Sequence, residues 1–259
     1  MNQQFPVGLQ LYTVRDHLSR DYRGTLARIA EMGYRHIEMG GFGPFGVGEW
    51  NEVLRQYGLS VCANHIQIEM LEESFSHIAE FNEAIGNRRL VCPYLREERR
   101  SDLADYRRTA GTLNSLGRLC RDRGFEFYYH NHAFEFTDLG GTCGFEVLTA
   151  ETDPELVQFE LDTYWVAFGG QDPADWIARL KGRCGVLHLK DMDAKDRKVF
   201  REVGEGVLDF EGILSAARTS GTKLLVVEQD LCPTDSLACA HTSIRNIRRL
   251  QGLTGAGER

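Results

Sequence analysis

The chain has 259 residues, with 30 lysine and arginine residues against 38 aspartate and glutamate residues, so its formal net charge is −8. This acidic balance, without any Lys/Arg-rich block, argues against nucleic acid as an electrostatic partner. The N-terminus lacks a basic start followed by a long apolar core, and no run of about 18 apolar residues occurs. We therefore expect a cytoplasmic protein that does not bind membranes.

Seven cysteines are scattered along the chain without any C-x-x-C pair. A disulfide framework or a structural zinc site is therefore not expected. Cys62, Cys92 and Cys184 lie in or beside apolar runs that resemble strands. Small buried hydrophobic residues account for them.

In chain order, the first half alternates strand-like runs with helix-like segments. The first strand is predicted in "FPVGLQLY", and the helix near "DYRGTLARIAEMG" is expected to end at Gly33. The next strands are predicted in "YRHIEMG", "LSVCANH" and "RRLVCPYL". The helices after them are predicted in "EWNEVLRQYG", "LEESFSHIAEFNEAIG" and "SDLADYRRTAGTLNSLGRLCRDRG".

The second half continues the alternation from a fifth strand in "FEFYYHNH", which a short helix near "GFEVLTAE" follows. The sixth strand, "LVQFELDTYW", precedes a helix in "DPADWIARLKG", with Asp172 as its N-cap and Pro173 at its first position. The last two strands are predicted in "CGVLHLKD" and "TKLLVVEQD". Helices are expected after each, within "VGEGVLDFEGILSAARTSG" and "DSLACAHTSIRNIRRL".

Eight parallel units of this kind close most naturally into a (β/α)8 TIM barrel, because closure removes the sheet edges and the helices cover its outer face. We predict an α/β fold in which residues 1–259 form a single barrel domain. A doubly wound open sheet is the alternative, but no G-x-G-x-x-G follows the first strand. Active sites in such barrels lie at the C-terminal ends of the strands.

Ionisable and polar residues collect at these strand ends. They are Tyr12, Glu38, His65, Pro93, Tyr94, His130, His132, Asp162, His188, Lys190 and Glu228. Because alternate strand residues share a side, His130 and His132 face one way, as do Glu160 and Asp162. A single histidine at a strand end is more often structural, but this combined pattern predicts a shared metal ion.

Several segments resemble the sugar phosphate isomerase/epimerase group of the xylose isomerase-like TIM barrel superfamily. They are "VGLQLYTVRD", "YYHNHAFEF", "ELDTYWVAFGGQDPADWI", "LHLKDM", "EVGEGVLDF" and "VVEQD". The resemblance implies a divalent-metal site with Asp162, His188 and Glu228 as ligands. His130 stands where the family usually has a glutamate ligand at the end of strand five, and His132 and Glu160 are alternatives for that position.

Two imidazoles and two carboxylates suit one Mn²⁺, Co²⁺, Zn²⁺ or Fe²⁺ ion better than Mg²⁺, and we favour Mn²⁺. Such an ion polarises a carbonyl so that the neighbouring C–H bond becomes acidic. Glu228 is the first candidate for the base, and His65 and Lys190 are candidates for the second acid or base. The predicted substrate-binding residues are Tyr12, His132, Glu160, Tyr164 and Trp165.

We therefore predict a metal-dependent isomerase or epimerase that acts on a sugar, keto-sugar or sugar derivative through an enediolate. The same site would make a dehydratase or lyase if a leaving group lies β to the enolised carbon, as in a keto-inositol. An apurinic endonuclease would need more metal ligands and a basic surface. A non-catalytic sugar-binding barrel is the fourth option, and homodimer formation is left open.

Overall fold

The computed structural model describes residues 4–253, in which eight parallel strands close into a barrel. The ends of the predicted domain, residues 1–3 and 254–259, lie outside the described residues. The barrel order is β1-β2-β3-β4-β5-β6-β7-β10, with β10 pairing with β1 to close the ring. The strands are β1 Val7–Gln10, β2 His36–Gly40, β3 Ser60–His65, β4 Arg89–Cys92, β5 Glu126–His130, β6 Gln158–Asp162, β7 Val186–Leu189 and β10 Leu224–Val227. The (β/α)8 prediction is therefore confirmed.

Helices alternate with the strands and cover the outside of the barrel. They are α1 Arg15–Leu18, α2 Tyr22–Glu31, α3 Val47–Tyr57, α4 Ile68–Ala84, α5 Leu103–Asp122, α6 Gly144–Glu151, α7 Thr163–Phe168, α8 Pro173–Arg179, α9 Phe210–Ser220 and α10 Ser236–Leu250. None of the helices within residues 4–253 combines the length and the apolar character needed to cross a lipid bilayer.

The interior of the barrel changes from apolar to ionisable along the strands. A small buried cluster fills its lower part: Cys62, Ala63, Val91, Tyr128, Val186, Leu224 and Val226. Side chains two residues further along these strands point to the same side, which brings His130 and His188 into the interior above the cluster. The pairing of β5 with β6 places His130 opposite Glu160, and that of β6 with β7 places Asp162 opposite His188.

Outside the barrel, aromatic side chains pack between the sheet and the helices. The ring of Phe145 on α6 is fully buried and contacts Phe136, Phe159 and Trp176, with ring centroids 4.9 to 5.3 Å apart. Its neighbour Gly144 must remain a glycine, because an added Cβ would lie 2.1 Å from the ring of Tyr106. This close packing holds α6 against α5.

The predicted helix ends agree with the structure at two sites. Gly33 follows α2 in a left-handed conformation with φ of 96°. The carboxylate of Asp172 accepts a hydrogen bond from Asp175 N and caps α8, which starts at Pro173.

A short antiparallel hairpin after β7 was not predicted. It comprises β8 Asp191–Met192 and β9 Phe200–Arg201. The buried carboxylate of Asp191 accepts hydrogen bonds from the backbone N–H groups of Met192, Gly204, Gly206 and Leu208. The segment of residues 204–206 ("GEG") is therefore a turn around this carboxylate at the base of the hairpin.

Candidate metal centre and active site

The carboxyl ends of the strands surround a cavity of about 520 Å³. Six of the residues predicted for the site line it, namely Tyr12, His65, His130, His132, Lys190 and Glu228. The rest of the wall comprises Gln10, Gly40, Gly41, Gln67, Met70, Pro93, Tyr94 and Asp230. The structure thus brings residues from seven different strand ends to one opening, as the barrel fold requires of an active site.

The four predicted ligands form one compact group, which we call the outer cluster: His130, Asp162, His188 and Glu228. Their ligand atoms all lie within 4.8 Å of one another, and all four residues are buried. His188 Nδ1 lies 3.0 Å from Glu228 Oε2, and His130 Nε2 lies 3.8 Å from Asp162 Oδ2. Four ligand atoms this close together could hold one cation.

The two oxygens of Asp162 have different roles. Oδ1 accepts a hydrogen bond from Trp165 N at 2.9 Å and caps α7, while the Asp162 N–H donates to Asn131 Oδ1 at 2.9 Å. Oδ2 is buried and accepts no hydrogen bond, although the Lys190 ammonium lies 3.1 Å away. The backbone N–H and one carboxylate oxygen of Asp162 are thus fixed, and Oδ2, which faces His130 and Lys190, is the oxygen that a cation could bind.

A second group lies beneath the first, and we call it the inner cluster: Glu38, His65 and Glu160, with Gln10 at its edge. His65 Nε2 lies 2.7 Å from Glu160 Oε1 and 3.2 Å from Glu38 Oε2. His188 Nε2 joins both carboxylates, 2.6 Å from Glu38 Oε2 and 3.0 Å from Glu160 Oε1. The ring of His188 therefore connects the two clusters through its two nitrogens.

Lys190, directly after β7, places its ammonium among three carboxylates. Nζ lies 2.7 Å from Glu228 Oε2, 3.1 Å from Asp162 Oδ2 and 2.9 Å from Asp230 Oδ1. Burial opposes the charge, but the attraction of these carboxylates raises the pKa of Lys190 well above its usual value. The side chain is a fixed positive charge beside the outer cluster.

The imidazoles fall into two classes. Burial works against protonation of His65 and His188, yet the facing carboxylates raise the pKa of His65 to about 10 and that of His188 well above its usual value. For His130 and His132, burial and the positive charges of Lys190 and the neighbouring imidazoles outweigh the nearby carboxylates, so the pKa of His132 falls to about 3 and that of His130 well below its usual value. His130 is thus a neutral ring, which is the form that binds a metal ion.

The carboxylates are also perturbed. Burial raises the pKa of Asp162 to about 6, and Lys190 only partly offsets this effect. For Glu228, burial is outweighed by Lys190 and His188, which hold its pKa far below the usual value. His65 and His188 hold the pKa of Glu38 well below its usual value in the same way. At neutral pH these groups are ionised.

The remaining predicted site residues lie around the rim or below it. The ring of His132 contacts those of Tyr94, Phe134 and Trp165 at centroid distances of 5.3 to 5.5 Å, and its Nδ1 is buried without a hydrogen-bond partner. Trp165 reaches the site through this contact but does not line the cavity. Tyr12 is 52% exposed at the mouth.

Tyr164 and Glu160 are placed differently from the other predicted substrate-binding residues. Tyr164 stacks on Phe200 of the hairpin at 4.3 Å and donates a hydrogen bond to Arg197 O, so it packs under the hairpin instead of facing the cavity. Glu160 is fully buried in the inner cluster.

Four residues that hold the site together had no predicted role. Gln10 donates a hydrogen bond to Glu38 Oε2 at 2.8 Å, Asn131 orients Asp162, and Asp230 contacts Lys190. Glu38 was noted at a strand end but assigned no partner. An acidic residue in the middle of the apolar run "HIEMG" was the available signal, because an ionised group there needs a partner.

The side chains present fit a divalent cation. The five carboxylates of Glu38, Glu160, Asp162, Glu228 and Asp230 face one ammonium and two imidazoles that can be charged, which leaves two negative charges without compensation. Asp162 Oδ2, which accepts no hydrogen bond and has the Lys190 ammonium 3.1 Å away, and the neutral His130 add an oxygen and a nitrogen donor. Such a mixed donor set suits borderline transition ions.

Comparisons with known proteins agree with this architecture. A family model for the xylose isomerase-like TIM barrel matches residues 26–232. The inosose dehydratase of Geobacillus kaustophilus is 25% identical over 238 residues, which cover 77% of this chain and 76% of that protein. For inosose dehydratases from Bacillus cereus, the chain spans about half the length of the relatives it matches.

Solved structures show the same fold. A sugar phosphate isomerase/epimerase from Parabacteroides distasonis ATCC 8503 has a TM-score of 0.82 and 24% identity, over 96% of this chain and 94% of that one. An IOLI protein with a bound zinc atom has a TM-score of 0.76 and 13% identity, over 98% of this chain and all of that one. Since the family model covers most of the sequence, this protein belongs to the xylose isomerase-like TIM barrel family.

Proposed function

We propose that this protein is a divalent-metal-dependent dehydratase, a lyase that removes water from a keto-polyol without a phosphate group. The observation that carries the proposal is the composition of the cavity wall. Of the four outer-cluster residues, only His130 and Glu228 line the cavity in the part of the chain that the structure describes. One predicted ligand carboxylate, instead of two, therefore faces the substrate.

His130, Asp162, His188 and Glu228 would hold the cation. When bound, the ion supplies Lewis acidity that makes the C–H bond next to a substrate carbonyl more acidic. The family includes enzymes, and the relatives named inosose dehydratases support this chemistry for a carbonyl-bearing cyclic polyol.

The chain's own residues supply the proton transfers. Glu228 is ionised and accepts the proton from the carbon next to the carbonyl. The electron pair of the broken C–H bond forms a C=C bond, and the C–O bond at the next carbon breaks. The His65 imidazolium in the cavity wall donates the proton with which this hydroxyl leaves as water, while the Lys190 ammonium, 2.7 Å from Glu228, stays a fixed positive charge. His65 and His132 are placed in the cavity wall to bind substrate hydroxyls.

The electrostatics of the cavity favour an uncharged substrate. Lys190 is the one lysine or arginine that lines it within residues 4–253, and three carboxylates already surround its ammonium. Glu228 and Asp230 add negative charge to the wall. Apart from the cation itself, a phosphate group would find no cationic side chain among the described cavity residues that is free of carboxylate partners.

The isomerase or epimerase activity predicted from the sequence stays a prediction. In the family it resembles, a pair of metal-bound glutamates often moves the proton, and here the strand-five member of that pair is His130. Inversion of a carbon centre needs the second member of that pair to return a proton to the opposite face of the carbon, whereas elimination returns no proton to carbon. For this reason we prefer the dehydratase.

The test uses the intact protein loaded with Mn²⁺, Co²⁺ or Zn²⁺ in turn and incubated with a keto-inositol. Mass spectrometry reports loss of water, and proton NMR in D₂O reports deuterium incorporation and stereochemical change. We expect metal-dependent loss of water, and none from a phosphorylated keto-sugar. Asp162→Asn is the inactive control, because it removes the charge of a predicted ligand but keeps the helix cap.

Two results would overturn the proposal. Deuterium incorporation with stereochemical change but no loss of water would indicate an isomerase or epimerase. Absence of metal binding by the wild-type protein, with no effect of chelators on its melting temperature, would indicate a barrel without this chemistry.

A further inference from the structure

The carboxylates of the inner cluster lie against the imidazoles of the outer cluster. His188 Nε2 lies 2.6 Å from Glu38 Oε2, while its Nδ1 lies 3.0 Å from Glu228 Oε2. His130 shows the same division, with Nδ1 3.1 Å from Glu160 Oε1 and Nε2 directed at Asp162 Oδ2, 3.8 Å away. Each ring therefore has one nitrogen against an inner carboxylate and the other toward the outer cluster.

This division determines which nitrogen of each ring can bind a cation. An imidazole coordinates through a nitrogen without a proton, so its single proton must lie on the other nitrogen. An acceptor at that other nitrogen selects this tautomer and increases the electron density of the ligand nitrogen. A carboxylate is the strongest such acceptor among protein groups.

We infer that Glu38 and Glu160 are positioning residues that hold His188 and His130 in their metal-binding tautomers and thereby set the affinity of the site for its cation. The inference rests on the proposed function, since it takes the outer cluster as the metal site. It also explains why two ionisable side chains lie in the interior of the barrel. Both glutamates are fully buried, where an ionised carboxylate is unfavourable unless it has partners.

Glu38 is itself held in a single orientation by Gln10. Gln10 Nε2 donates to Glu38 Oε2 at 2.8 Å, and Gln10 Oε1 accepts from Tyr12 N at 3.1 Å, so the amide is fixed at both ends. The resulting chain runs from the backbone after β1, through Gln10 and Glu38, to His188. Glu160 is shared among His65, His188 and His130, so its removal disturbs more contacts.

The test compares Glu38→Gln with Glu135→Gln. Glu135 is a matched control, because it is also fully buried but bonds Tyr129 Oη and His132 N instead of an imidazole nitrogen. Co²⁺ alone is the probe, with calorimetric titration for affinity and the visible absorption bands of Co²⁺ for coordination geometry. Removing an outer partner of a ligand typically weakens metal binding by about 10- to 100-fold.

We expect a loss of that size for Glu38→Gln with altered Co²⁺ bands, and unchanged affinity for Glu135→Gln. Gln10→Ala is the second variant, which leaves the carboxylate in place and should weaken Co²⁺ binding in the same direction but less. If circular dichroism shows that Glu38→Gln is not folded, Gln10→Ala provides the test instead.

Wild-type affinity in Glu38→Gln, or an equal loss in Glu135→Gln, would overturn this inference and leave the proposed function intact. If Glu38→Gln does not fold, wild-type affinity in Gln10→Ala overturns it. Failure of the wild-type protein to bind Co²⁺ would instead overturn the proposed function and the inference together.

Discussion

Replacing Lys190 by methionine should lower the stability of the metal-free protein and strengthen its response to metal. The ammonium is 2% exposed and lies within 3.1 Å of oxygens from Asp162, Glu228 and Asp230. Methionine fills similar space without a charge, so the buried carboxylates of Asp162 and Glu228 and the partly exposed one of Asp230 would lose their ammonium partner. Breaking a buried ion pair in this way costs about 3 to 5 kcal/mol.

This cost can be expressed as a melting temperature. In a domain of this size, 1 kcal/mol corresponds to a shift of about 2 to 4 °C, so the variant should melt roughly 10 °C below the wild type when free of metal. A divalent cation that binds the folded state stabilises it by mass action. Because the cation also offsets the unpaired carboxylates, the rise on adding metal should be larger in Lys190→Met than in the wild type.

The assay is differential scanning calorimetry of chelator-treated and metal-loaded samples. Lys223→Met is the control, because Lys223 is 62% exposed in its side chain and pairs with Glu126 at 3.4 Å. An exposed pair of this kind contributes less than about 1 kcal/mol. The prediction is wrong if metal-free Lys190→Met melts within about 2 °C of the wild type, or if metal raises the melting temperatures of Lys190→Met and the wild type equally.

Three further predictions address the metal, pH dependence and packing. Asp162→Asn should weaken metal binding in calorimetric titration by more than the factor of about 10 to 100 that is typical when a ligand loses an outer partner. Its circular dichroism spectrum should match that of the wild type, because asparagine can still cap α7 at Trp165 N. Burial raises the pKa of Glu135 from 4.5 to about 8, so the folded state binds this proton more tightly and stability falls as pH rises through that window. Glu135→Gln should remove this pH dependence of the unfolding free energy, which amounts to at most roughly 5 kcal/mol. The prediction is contradicted if urea denaturation gives the same difference in unfolding free energy between about pH 5 and pH 8 for both proteins. Phe145→Ala should lose about 3 to 5 kcal/mol in urea denaturation by opening a cavity against Trp176, with unchanged metal affinity in the same protein.

Strand periodicity was sufficient to place most of the candidate site. Alternation assigns His130 and Asp162 to the barrel interior, and parallel strands in a closed barrel bring their carboxyl ends to one rim. That is why residues as far apart in sequence as Tyr12 and Glu228 could be expected around a single opening. Helix caps such as Asp172 were predictable because they involve residues only three positions apart in the sequence.

Contacts across the barrel could not be obtained in this way. Glu38 and His188 are 150 residues apart and meet only because β10 closes the ring between β7 and β1. Tyr164 turned away from the cavity because the chain enters α7 directly after Asp162, where strand alternation ends. The hairpin of β8 and β9 has two residues in each strand, which is too few to produce a periodic pattern.

By itself, then, the order of apolar and ionisable residues determined the barrel and the set of side chains that reach its rim, because these depend on periods of a few residues. The tertiary structure decided which of those side chains touch. Only the closed ring places two inner carboxylates under the imidazoles of His130 and His188, and that arrangement depends on distances between strands that are remote in sequence.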